Sequence, residues 1–322
     1  MSVVPIDAAE GQAHVKYDRL IAAAKQVPSA VTIVVHPCDE ASLRGVCEAA
    51  AAGLIKPLLV GPESKIKTTA AQFSLDISRF QIVDAADSEA SAARAVELIH
   101  ESKGESLMKG SLHTDELMRS VTAKGTGLRT DRRISHVFAI DVPGYAETLF
   151  ITDAAINIFP DLDCKRDIVQ NAIDLYAGIG LGMPRVAILS AVETVTAKIP
   201  STIDAAALCK MADRDQITGG LLDGPLAFDN AIDKEAAKIK GIKSVVAGQA
   251  QILGRAGPRG GIMLAKNLTF LAKADSAGIV LGARVPIILT SRGDSLRARL
   301  ASCAIAVLYA DARRRASTVV AA

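Results

Sequence analysis

The 322-residue chain has no tryptophan, and aromatic residues make up only 3% of it, so its apolar mass has to be aliphatic. Alanine, valine, isoleucine and leucine supply it, which suits buried strands flanked by alanine-rich helices. No uncharged apolar run reaches the ~18 residues that a membrane-spanning helix needs. A large charge excess is missing too. Its 37 basic and 35 acidic residues leave a net charge of +2, too little for an extended nucleic-acid surface. Met1 to Ala13 carry acids and no apolar core segment, so no secretory signal is read there and a cytoplasmic protein is expected. The five cysteines (Cys38, Cys47, Cys164, Cys209, Cys303) include no CxxC pair, the pattern of free thiols in a reducing compartment. The five histidines show no HExxH or similar spacing, so no metal is expected.

What the chain does contain is an alternation of strand-like and helix-like stretches. Val31–Val35 is a β-branched run, followed by helical spacing over Asp39–Ala52 and a strand at Pro57–Val60. A helix over Ala90–His100, a strand at Ser106–Met108 and a helix from about Thr114 continue the rhythm. His136–Asp141 and Thr148–Ile151 read as a pair of strands, with Pro143-Gly144 as the clearest break in mid-chain. Helices are expected over Cys164–Leu181, Ile203–Ala212, Asn230–Lys240 and Met263–Ala274. Strands are expected at Val186–Leu189, Gly219–Leu222, Gly278–Leu281 and Val285–Thr290. Leu296, Leu300, Cys303 and Val307 lie on one face of a final helix. Alternating β and α elements imply an α/β fold with a parallel sheet covered on both faces.

Two segments have the layout of an anion site. In PIILTSRGDS an apolar strand delivers Ser291, Arg292 and Asp294 to the start of a helix, where ligands of open sheets collect and unpaired N–H groups face an anion. Arg292 suits a bidentate phosphate clamp. The plainer reading is that Ser291 or Asp294 caps the helix. In LMKGSLHTDELMR a strand end meets Lys109, Gly110, His113 and Thr114; Gly110 allows close backbone approach and Thr114 suits a helix cap. The alternative there is an ordinary turn with a solvated lysine. GIGLG (178–182) follows a helix and reads as its C-terminal cap, and GRAGPRGG (254–261) reads as a basic, glycine-rich loop.

Together LMKGSLHTDELMR, DAAINIFPD, PRVAILS, LLDGPLAFDNAI and PIILTSRGDS resemble the phosphate acetyltransferase/phosphate butyryltransferase family, from about Tyr17 to Arg314. The resemblance is nearest to the acyltransferase half of bifunctional enoyl-CoA hydratase/phosphate acetyltransferases, with no hydratase domain expected ahead of it. It implies two αβα domains flanking a cleft, as in isocitrate and isopropylmalate dehydrogenases. Domain I would comprise 1–145 plus 282–322 and domain II 146–281, with a homodimer formed through domain II. It implies acyl transfer between coenzyme A and phosphate in a ternary complex, with CoA as substrate and no other cofactor. The partners would be acyl-CoA, phosphate and acyl phosphate, without nucleic acid or membrane. Ser291 and Arg292 take the catalytic positions, and Asp294 is the candidate for the base that removes the thiol proton, with solvent or phosphate as the alternatives. Lys109, Gly110, His113, Thr114, Asn157 (in DAAINIFPD) and Ser190 (in PRVAILS) take substrate-binding ones.

This chain departs from the resemblance at two places. The acetyltransferase branch has an aspartate seven residues after the serine, where this chain has Ala298; Asp294 stands three residues after it instead, as in the butyryltransferase branch. Close relatives also read approximately VVPDLEAGN where this chain reads GRAGPRGGI at 254–262. A one-base insertion ahead of codons for VVPDLEA, later compensated, translates as GRAGPRG. The rival readings are a catalytically impaired CoA- or metabolite-binding relative and a dehydrogenase of the same fold.

Overall fold

A computed structural model describes residues 15–255, 260–290 and 294–320; Ser291 and Arg292 lie outside the described residues. The first half runs α1 (Val15–Ala24), β1 (Ala30–Val35), α2 (Glu40–Ala51), β2 (Ile55–Gly61), α3 (Glu63–Gln72), β3 (Gln81–Asp84), α4 (Ser88–His100), β4 (Ser106–Lys109) and α5 (Thr114–Thr122). Next come β5 (Ser135–Asp141), β6 (Leu149–Thr152), α6 (Leu162–Gly178), β7 (Arg185–Leu189), α7 (Pro200–Asp213), β8 (Leu221–Leu226), α8 (Phe228–Ile232) and α9 (Lys234–Ile239). The chain closes with β9 (Ile252–Arg255), α10 (Gly260–Leu271), β10 (Asp275–Leu281), β11 (Ile287–Ile288) and α11 (Leu296–Val320).

Aspartates set many of these boundaries. Asp39, Asp87 and Asp161 each accept a hydrogen bond from the backbone N–H three residues on, at 2.9, 2.8 and 2.8 Å. Each thereby satisfies a donor that the first helical turn leaves open. Asp233 divides the expected Asn230–Lys240 helix into α8 and α9. Its backbone is extended (φ −122°, ψ 121°) and its carboxylate accepts from Ala236 N–H at 2.7 Å. Gly180, with φ +86°, follows the end of α6, so GIGLG does terminate a helix.

All eleven strands join one sheet in the order β3-β2-β1-β4-β11-β10-β5-β6-β9-β7-β8. The expected parallel sheet is a mixed one. β10 pairs antiparallel with β11 and β5, and β5 pairs antiparallel with β6. The strand direction therefore reverses between the two halves, each of which is parallel internally. α1, α3, β3 and β9 have no counterpart in the periodicity reading. β11 is shorter than the apolar run Val285–Thr290 that contains it, and β8 extends beyond Gly219–Leu222 to Leu226.

The two faces of the sheet are covered differently. Strand residues of one parity, such as Val34, Val137, Ile188 and Ile279, join one continuous core that runs under both halves with α1, α2, α6, α7 and α11. On the opposite face the core is in two pieces. One piece packs α4 and α5 on β1, β2, β4 and β11; the other packs α8 to α10 on β6, β7 and β9. β5 marks the division: Val137 and Ala139 point into the continuous core, while Ile140 points into the second piece. His136, of the same parity as Ile140, belongs to neither piece and lies where the two meet.

Candidate active site

β1 is followed by α2 and β2 on one side, and β4 adds to its other side. This is a topological switch point, where the loops at the strand carboxyl ends diverge and leave a crevice. The crevice is small and lined by Asp39, Ser42, Lys109, Gly110, Thr290 and Arg299. Lys109 Nζ donates to the carbonyls of Gly110 and Leu112, each at 3.1 Å, which folds the lysine back over the loop. Gly110 is required by the backbone of β1. A Cβ there would lie 2.4 Å from Val35 O and 2.6 Å from His36 O. The close approach made by Gly110 is thus to its neighbouring strand.

Arg299 was not singled out from the sequence, yet it reaches this crevice from the start of α11. Its Nε is buried and has no hydrogen-bond partner among the described residues. A partly buried guanidinium of this kind, beside Lys109 at a strand switch point, is suited to hold a phosphate group. Nothing in the local sequence distinguishes Arg299 from Arg297, two residues earlier; only the fold brings α11 against β4.

The helix starts also separate capping from chemistry. His113, not Thr114, occupies the N-cap of α5, with the Glu116 carboxylate accepting from His113 N–H at 2.8 Å; Thr114 is the first helical residue. On α11 the cap is Ser295, whose Oγ accepts from Ala298 N–H at 3.1 Å. The cap is thus not Asp294, and Ser291 lies outside the described residues. Asp294 lies within electrostatic reach of Tyr17, whose hydroxyl donates to Asp275 O at 3.0 Å, so it sits at the same end of the sheet as the crevice. Ala298 is buried at 3% exposure and offers no proton acceptor.

Asn157 and Ser190 lie elsewhere. Asn157 follows β6 on a loop organised by the buried Asp153. That carboxylate accepts from the backbone N–H groups of His136, Ala155, Ile156 and Asn157, and from Asn157 Nδ2 at 2.6 Å. Asn157 Nδ2 also donates to Ile134 O at 2.8 Å, which fixes the loop at the opening end of β5. Ser190 ends β7 and shares a 2.7 Å hydrogen bond with Ser201. β7 stands six strands from β4, roughly 29 Å at ~4.8 Å per strand spacing. Lys109 and Ser190 therefore do not meet at one reacting atom.

His136 is buried at 1% exposure, with Nδ1 unpartnered among the described residues and its ring edge-on to Phe138 at 4.5 Å between centroids. Burial lowers its pKa to about 4, against the opposing pull of the Asp153 carboxylate. The unfolded imidazole has a pKa of about 6.5. As pH falls below that value the unfolded chain takes up a proton that the folded chain refuses. Stability is untouched by this group above about pH 6.5 and declines towards pH 4, by up to ~3 kcal/mol. Urea unfolding between pH 7.5 and 4.5 should show a smaller decline in His136→Phe than in the parent; equal declines would remove His136 as the cause.

Residues 88–307 match the family described as phosphate acetyl/butaryl transferase. The chain is 72% identical over 306 residues to a phosphate acetyltransferase of Rhizobium meliloti, covering 95% of this chain and 96% of that one. It is 39% identical over 294 residues to a phosphate butyryltransferase of Clostridium beijerinckii, covering 91% and 97%. A branched-chain phosphotransacylase from Enterococcus faecalis superposes with a TM-score of 0.75 at 27% identity, over 87% of this chain and 99% of its own. A 4-hydroxythreonine-4-phosphate dehydrogenase from Klebsiella pneumoniae, at a TM-score of 0.55 and 13% identity, shares the fold. With a match across most of its length, the chain belongs to the phosphate acetyltransferase and butyryltransferase family.

Proposed function

We propose that this protein catalyses acyl-CoA + phosphate ⇌ acyl phosphate + CoA. The observation that carries the reading is the crevice at the β1/β4 switch point, where Lys109 and Arg299 converge beside the end of β11 in a chain of this family. In the direction of thioester synthesis, the CoA sulfur attacks the carbonyl carbon of the acyl phosphate. The carbon–oxygen bond to phosphate breaks, and phosphate departs with the electron pair. Arg292 holds the phosphate and its growing charge, and Ser291 donates to the oxyanion of the tetrahedral intermediate. Asp294 takes the thiol proton. A free thiol has a pKa of about 8.5, so modest assistance suffices near neutral pH. CoA is a substrate, and no further cofactor enters the scheme.

The proposed division into domain I (1–145 plus 282–322) and domain II (146–281) is supported in outline by the two-piece core on one face of the sheet, which crosses these bounds at Ile140 and Val280. A homodimer through domain II is supported by its exposed apolar side chains, among them Ile239 at 84%, Phe270 at 75% and Leu271 at 82%. A cytoplasmic setting is supported by five free cysteines. Among the described residues no helix is long and apolar enough to cross a membrane.

Direct attack requires both substrates on the enzyme together, which lowers the entropic cost of the encounter. Initial rates at varied CoA and acyl phosphate should give lines that converge. Parallel lines, the sign of an acyl-enzyme, would overturn direct transfer.

A further inference from the structure

Two helices converge where β10 begins. Asp275, the first residue of β10, stands opposite Asp141, the last of β5. β10 runs antiparallel to β11, and β11 runs parallel to β4, so Asp275 lies at the same end of the sheet as Lys109. From α1, Tyr17 N–H donates to the Asp141 carboxylate at 3.2 Å, and the Tyr17 hydroxyl donates to Asp275 O at 3.0 Å. Tyr17 is fully buried, and burial raises its pKa well above the usual phenol value, so the hydroxyl stays protonated and donates. From α11, Ser295 Oγ donates to Asp275 Oδ1 at 3.1 Å and accepts from Ala298 N–H at 3.1 Å.

Ser295 is thus held from both sides. A hydroxyl has a single proton to give. That of Ser295 goes to Asp275, while its lone pair caps the helix. With donor and acceptor both engaged, the side chain is confined to one rotamer. Asp275 is itself anchored through its carbonyl by the buried tyrosine. Other charges at this corner are paired: Lys16 with Asp141 at 2.9 Å, and Arg297 with Asp18 at 3.1 Å.

Asp294 directly precedes Ser295, and its carboxylate acts on the same Tyr17 hydroxyl as that of Asp275. One peptide bond therefore separates the fixed serine from the residue that takes the thiol proton in the scheme above. A base has to lie within hydrogen-bond reach of the proton it removes, and a small misplacement is costly in rate.

We infer that Asp275 is a positioning residue for the reaction: through Ser295 it sets the direction from which the Asp294 carboxylate meets the CoA thiol. Asp275 touches no reacting atom, and it acts by accepting a hydrogen bond. The inference rests on the proposed role of Asp294 as the base.

Steady-state kinetics of the full chain test it, with CoA and whichever of acetyl, propionyl or butyryl phosphate the parent uses best. Asp275→Ala removes the acceptor, and Asp275→Asn keeps one. Ser295 still caps α11 in both, so their unfolding midpoints should stay close to the parent's. Asp275→Ala should lower kcat about tenfold, with KM for both substrates within about twofold of the parent's. Asp275→Asn should return kcat to within about threefold of the parent's, because its amide oxygen accepts from Ser295. In an Asp294→Asn background, already slow, Asp275→Ala should cost no more than about twofold, since the two residues act as one unit. An Asp275→Ala chain as fast as the parent overturns the inference, as does one that loses only in KM. Asp275→Asn as slow as Asp275→Ala overturns it too, because charge and not the hydrogen bond would then matter. An equal cost of Asp275→Ala in both backgrounds shows that Asp275 acts other than through Asp294, and overturns it. If Asp294→Asn is slow and Asp275→Ala is not, this inference alone fails. If Asp294→Asn matches the parent, the base assignment fails and this inference with it. A parent that transfers no acyl group removes both.

Discussion

Arg292→Ala is expected to lower turnover by roughly 10²–10³-fold while leaving the thermal unfolding midpoint close to the parent's. In sequence Arg292 follows the apolar run Val285–Thr290, whose Thr290 lines the Lys109/Arg299 crevice. Ser295 caps α11, and Ser302 Oγ donates to Ala298 O at 3.0 Å, so the first turns of the helix carry hydrogen bonds of their own. Lys109 and Arg299, which line the crevice, remain in the variant. The loss should therefore fall mainly on kcat, where charge develops, and less on KM for phosphate. Arg292→Lys keeps the charge without the planar fork and should recover only part of the rate. Turnover near the parent's in Arg292→Ala would remove that residue from the mechanism.

Replacing residues 254–262 by VVPDLEAGN is expected to raise kcat/KM by about tenfold or more, on the scale of one restored polar contact in the cleft. The structure accommodates the replacement at both described ends. Gly254 sits inside β9, between β6 and β7, where glycine weakens a strand. A Cβ there would meet Ile188 Cδ1 at 3.1 Å and Val169 Cγ2 at 3.4 Å, both ends of side chains that can shift. At Gly261 a Cβ would lie 2.5 Å from Asp153 O, a backbone atom, so glycine is obligatory there, and the replacement keeps it. The first turn of α10 now has no acidic residue. An acid at 259 would favour the helix start electrostatically. Stability should rise by about 1 kcal/mol from the valine at 254 alone. Unchanged activity in the replaced chain would show that the segment has no part in the reaction, and codons that fail to read as VVPDLEA in another frame would end the frame-shift origin.

Legibility in the sequence followed burial. β1, the centre of β4 and the Gly278–Leu281 part of β10 were readable because each is buried on both faces. β3 was not, because it is an edge strand, QIVD, with exposed ends and half-buried middle residues. β9 was hidden by its own Gly254 and Arg255, which read as a loop. The antiparallel centre was invisible because alternation of strands and helices says nothing about where β10 and β11 return to the sheet. Lys109 and Gly110 were found from a local motif, and Gly110 proved to serve β1. Arg299 escaped notice because the crevice it lines is completed by Lys109, 190 positions away in the chain; Asp153 stood in the DAAINIFPD motif, but its role of gathering backbone N–H groups was not legible there.

The most direct measurement incubates the purified protein with CoA and acetyl, propionyl or butyryl phosphate in turn, following thioester formation and phosphate release together. At least one donor should give thioester and phosphate in equal amounts, at a rate proportional to enzyme. Absence of thioester from all three donors, or phosphate release that proceeds without CoA, would contradict acyl transfer between coenzyme A and phosphate.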